Sequence, residues 1–184
     1  MTERQHLESV SEEVATLYRR ASVLLRRGRF GEASQILDGI LELAPGFPPA
    51  CNKYGVRGAD KGDYGEAEEW FAKALSIDRE YPPAIVNLGN IALARNDRET
   101  AKRHYQKAHG LDRTYAPVHR GLAALCKAEG DVTGFVRHMR HFRRYARGAG
   151  GVVDRSVFYR EPAFLVPVAL GVLILLVYIF AWVI

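Results

Sequence analysis

Apolar positions along most of this chain recur with a period of 34 residues. The segment 61–78 (KGDYGEAEEWFAKALSID) realigns with 95–112 (RNDRETAKRHYQKAHGLD) and with 27–44 (RRGRFGEASQILDGILEL). Four units fit end to end without a gap: 14–47, 48–81, 82–115 and 116–149. Spacings of three and four within each unit predict two helices. The eighth position holds a small residue in every unit, Ala21, Gly55, Gly89 and Ala123, as expected where a second helix crosses too closely for a larger side chain. The fifteenth position carries Gly28, Gly62, Asn96 and Gly130, residue types that end a helix in the left-handed conformation. The second helix then sets Ala33, Ala67, Ala101 and Phe135 at the twentieth position. Leu37, Phe71, Tyr105 and Met139 follow four residues on, and Ile40, Ala74, Ala108 and Phe142 three after that. Pro-Pro pairs at 48–49 and 82–83 open the next helices, where proline costs little.

A different pattern begins at Pro162. Residues 162–184 (PAFLVPVALGVLILLVYIFAWVI) contain no Asp, Glu, Lys or Arg and no polar stripe at any period. As a helix at about 1.5 Å per residue this stretch would reach roughly 34 Å, enough to cross a hydrocarbon core of about 30 Å. It is expected to be a C-terminal transmembrane helix and the chain to be tail-anchored. Residues 1–13 have helical spacing at Leu7, Val10 and Val14 and are expected to extend the first helix or cap the array. Residues 150–161 read as a juxtamembrane linker.

The repeat resembles the tetratricopeptide repeat family, with its W-x-x-L-G-x-x-Y…A-x-x-x-F…P pattern. The match is carried by Tyr54-Gly55, Tyr64, Ala67, Phe71 and Ala74, and by Leu88-Gly89, Ala101, Tyr105 and Ala108. Arg20, Phe135 and Phe142 depart from it in the two terminal units. The resemblance implies an all-α fold, a right-handed superhelical array of four helix hairpins, to which the C-terminal transmembrane helix is added. Each hairpin buries its apolar face only by stacking on its neighbours. The resemblance also implies a concave partner-binding groove lined by Tyr18, Ser22, Asn52, Val56, Val86, Asn90, Leu93, Arg120, Ala124 and Lys127. Its mixture of amides, an apolar middle and terminal cations suits a peptide segment with apolar anchors. Chaperone-binding members carry a two-cation clamp for a C-terminal carboxylate. Matching positions here, Tyr18, Ser22, Lys53, Pro83 and Asn87, or Asn52, Val56, Asn87, Pro117 and Gly121, do not make one.

Charge adds a direction. Residues 1–134 carry 19 Lys+Arg and 19 Asp+Glu, so the net +5 comes wholly from residues 135–184, with seven Arg against Asp154 and Glu161. An arginine excess just before an apolar stretch obeys the positive-inside rule. Arg143, Arg144, Arg147, Arg155, Phe158, Tyr159, Arg160 and Trp182 are therefore read as membrane-interface residues contacting lipid, with nucleic acid disfavoured. The N-terminus lacks the apolar core of a secretory signal, so the repeat domain is expected on the cytoplasmic side of a single-pass membrane protein.

No catalytic or cofactor motif stands out. Cys51 and Cys126 have no C-x-x-C spacing, and no G-x-x-x-x-G-K-[ST], G-x-S-x-G or H-E-x-x-H occurs. His138 and His141 share a helix face but sit among arginines, so a solvated basic face is expected rather than a metal site. No cofactor, metal or enzymatic activity is expected. The leading expectation is a membrane-anchored scaffold or adaptor that binds a partner protein on the cytoplasmic side, as subunit or assembly factor of a membrane complex. Alternatives are a tail-anchored adaptor of the organelle-fission type, or a basic juxtamembrane RNA- or lipid-binding protein.

Overall fold

The computed structural model describes residues 3–148, and among them lie nine helices. They are α1 (Glu3–Glu8), α2 (Glu12–Arg26), α3 (Phe30–Leu43), α4 (Pro48–Lys61), α5 (Tyr64–Ile77), α6 (Pro82–Ala94), α7 (Arg98–Leu111), α8 (Ala116–Glu129) and α9 (Val132–Gly148). Helices α2 to α9 form four hairpins at the expected period. Side-chain caps start several of them: Ser11 accepts from Val14 N–H, Asp63 from Glu66 N–H and Asp97 from Thr100 N–H. Proline occupies the first turn of α4, α6 and α8. The inter-helix turn is left-handed in all four units, at Gly28 (φ 73°), Gly62 (84°), Asn96 (62°) and Gly130 (78°). Glycine fits that conformation without strain, and asparagine is among the side chains that tolerate it best.

Stacking is nearest-neighbour. Each first helix packs on its own second helix, and α3, α5 and α7 pack in turn on α4, α6 and α8. The first helices also touch along the inside, α2 with α4, α4 with α6 and α6 with α8. Close approach depends on missing side chains. A Cβ on Gly55 would collide with the Phe71 ring, and one on Gly89 would stand 2.7 Å from Tyr105. The buried residues fall into three clusters, around Leu37 and Phe47, around Phe71 and Tyr81, and around Tyr105 and Val118.

The ends depart from the period. The first helix starts at Glu12, and residues ahead of it do not prolong it: α1 is a separate helix, and Ser11 at β-region angles (φ −61°, ψ 152°) caps α2. At the other end α9 runs for 17 residues, against 14 in α3, α5 and α7. The linker 150–161 and the apolar stretch 162–184 lie outside the described residues. Among the described residues no helix is long and apolar enough to cross a membrane.

Candidate partner-binding groove

The expected groove positions lie on the first helices α2, α4, α6 and α8, which touch one another in turn. Two repeat periods meet there. Asn87 donates from Nδ2 to Asn52 Oδ1 at 2.9 Å, and Tyr105 OH donates to Asn90 Oδ1 at 2.8 Å. Asn52 and Asn87 lie 35 residues apart, one period plus one, which is why the fifth position of one unit meets the sixth of the next. A buried amide left unbonded would be costly, and this pairing lets both amides be fully buried.

Exposure divides the groove residues. Tyr18, Asn52, Val56, Val86 and Asn90 are buried, whereas Ser22, Leu93, Arg120 and Ala124 are half-buried and Lys127 is exposed. At the first-repeat end α1 takes up part of the groove. Tyr18 OH donates to Glu3 Oε1 at 2.8 Å, and His6 Nε2–H donates to Asp78 Oδ2 at 3.0 Å. The His6 ring meets Tyr81 edge-on at 5.4 Å, and Leu7 and Val10 pack on the first core cluster. Burial pushes Asp78 up, but the Glu80 N–H and His6 among its partners outweigh it and hold the carboxyl below the usual aspartate range. The Lys53 ammonium stands 5.3 Å from the centre of the Tyr18 ring, on a largely buried residue. At the far end the Arg120 guanidinium lies 5.8 Å from the Phe142 ring centre.

His6 was not read from the sequence at all, and Lys53 and Asn87 were read only as positions of a carboxylate clamp, not as groove lining. Lys53 and Asn87 both hold the sixth position, one step from the expected lining. Nothing in the pattern signalled His6.

A second polar cluster joins the last hairpin. His119 is 3% exposed, and its Nε2–H donates to the Arg113 carbonyl at 2.9 Å. That leaves the lone pair of the neutral ring on Nδ1, which faces Nδ1 of His138 at 3.3 Å and accepts its proton. His109, His141 and Tyr145 pack around the same ring at 5.1–5.3 Å between centres. The expected solvated face at His138 and His141 is therefore corrected: both turn inward, because the only buried imidazole of α8 sits opposite them. Burial first, and neighbouring imidazoles after it, hold His119 and His138 below the usual histidine range. Among the described residues no group of three or more His, Cys, Asp or Glu is placed to hold a metal ion. Burial likewise raises the thiols of Cys51 and Cys126, the opposite of activation. Arg143, Arg144 and Arg147 are exposed on α9, whereas Arg155, Phe158, Tyr159, Arg160 and Trp182 lie outside the described residues.

Two family models described as tetratricopeptide repeat match the chain, one over residues 59–125 and one over 14–38. Over those residues the chain matches tetratricopeptide repeats. Among solved structures, a crystal structure of MamA superposes with a TM-score of 0.55 at 14% identity, covering 81% of this chain and 87% of that one. MamA from Desulfovibrio magneticus RS-1, from residue 41 to its end, gives 0.51 at 20% identity, covering 75% and 76%. At these identities the likeness is one of fold. No curated protein matches. Repeats of this family generally serve protein–protein contact.

Proposed function

We propose that this chain is a membrane-anchored tetratricopeptide scaffold that binds a segment of a partner protein on the cytoplasmic side, as a subunit or assembly factor of a membrane complex. The observation that carries the reading is the union of a repeat groove with the uncharged stretch 162–184 and the arginine excess ahead of it. Anchoring would raise the local concentration of the groove near membrane partners, so that a weak contact becomes effective. Half-buried Ser22, Leu93, Arg120 and Ala124, with exposed Lys127, are the positions most open to a partner. A partner using Tyr18 must first displace Glu3 of α1.

The test is a detergent pull-down from the native membrane with the full chain and with a version ending at Gly150. Co-purification of a membrane complex with the full chain alone supports the reading and makes the apolar stretch part of the interface. A soluble partner retained equally by both forms makes the repeats the receptor and the stretch an address. Recovery of the full chain in the soluble fraction, with no partner, rejects the proposal.

A further inference from the structure

Helix α9 presents two chemically different faces. Gly134, His138, His141 and Tyr145 lie on one side, where His138 and His141 meet His119 of α8. The opposite stripe runs Val132, Val136, Met139, Arg143 and Arg147 at spacings of three and four. Val132 is 72% exposed and Val136 51%, unusual for β-branched apolar residues. A shallow recess of about 650 Å³ lies along this face, lined by Phe135, Val136, Met139 and four arginines.

The charges are as lopsided as the faces. Between Val132 and Gly148 there are five arginines and no Asp or Glu. Several arginines elsewhere are matched to carboxylates, as in Arg19–Glu12, Arg57–Glu66 and Arg95–Glu68. Among the described residues none of the α9 arginines forms an ion pair. A polyanion would satisfy the cations but leave Val132, Val136 and Met139 unexplained. An anionic bilayer satisfies both, since its headgroups take the guanidinium groups and its acyl boundary takes the apolar side chains. Position agrees: 13 residues (149–161) separate α9 from the uncharged stretch, a tether of at most roughly 45 Å.

We propose that the outer face of α9 is an interfacial membrane-binding surface, with Val132, Val136 and Met139 entering an anionic bilayer while Arg140, Arg143, Arg144 and Arg147 hold lipid phosphates. This rests on the membrane reading above but asks more than an anchor does. Because α8 packs on the opposite side of α9, such docking turns the inner helix layer and its groove away from the bilayer. The groove is then presented to the cytoplasmic space rather than hidden against lipid.

The test uses the full chain with Cys51→Ala and Cys126→Ser, carrying an environment-sensitive fluorophore on Val136→Cys. It is reconstituted with phosphatidylcholine vesicles, with or without phosphatidylglycerol, and flotation confirms association. The expected result is a blue shift at position 136 on anionic vesicles and none for the same label on Glu69→Cys of α5. Reversing Arg140, Arg143 and Arg144 to Glu, with helicity unchanged, should weaken the α9 response about tenfold or more. A chain that floats with a water-like label at 136 overturns the α9 surface and leaves the anchor standing. A chain that does not float overturns both. A label that responds to RNA but not to vesicles overturns the proposal in favour of nucleic acid.

Discussion

Tyr105 is enclosed by two glycines from neighbouring hairpins, and the array tolerates no side chain at either. A Cβ on Gly121 would stand 2.5 Å from the ring, and one on Gly89 2.7 Å. Tyr105 is fully buried and its hydroxyl is tied to Asn90, so the ring has little room to turn away. Gly121→Ala should therefore lower unfolding stability by about 1–3 kcal/mol, the usual cost of overpacking. Gly39, in the middle of α3, has nothing within 4 Å of an added Cβ. Gly39→Ala should instead raise stability by about 0.5–1 kcal/mol. Urea midpoints with unchanged slopes distinguish these opposite signs. The small residues at the eighth position were legible in the repeat. Gly121 was not, since it holds the sixth position and the crowding comes from the preceding unit.

The histidine cluster makes the α8–α9 hairpin sensitive to acid. His119 and His138 titrate below the usual histidine range in the folded state, so the unfolded chain takes up protons first. Their contribution is complete above about pH 6.5 and is lost as the pH falls below it. Groups facing the cluster include His109 and Asp112 near the end of α7, Arg137 and Tyr145 on α9, and His141. The Arg113 carbonyl and, after it, Asp112 favour protonation of His119. The melting temperature should fall by a few degrees between about pH 7.5 and 5.5, and His119→Phe should flatten that slope. A curve unchanged by the substitution would locate the acid sensitivity elsewhere, with half-buried His104 the next place to look. At the other end His6 fastens α1 to Asp78. His6→Ala should accelerate tryptic cleavage after exposed Arg4 severalfold, read by mass, while cleavage elsewhere keeps its rate. Separate helix α1 was not legible as such, because three apolar residues show periodicity without showing where Ser11 interrupts it.

Across the whole molecule, stability is a chain of neighbour contacts, which makes the middle the best-supported part. Helices α4 and α6 are buried along nearly their whole length and contact hairpins on both sides. Hydrogen exchange should be slowest in α4 and α6 and fastest in α1 and the end of α9. Uniform protection from end to end would mean the four hairpins open as one unit. The sequence by itself determined the left-handed turns and the small residues at helix crossings. Those features depend on backbone conformation and on spacing along one helix, which a 34-residue offset displays directly. Only the tertiary structure decided that Asn52 pairs with Asn87, that His138 turns inward to His119, and that α1 takes up the first-repeat end of the groove. Each of these joins side chains from different helices. Their meeting depends on how far one hairpin is rotated over the next, and no spacing within the chain encodes that angle.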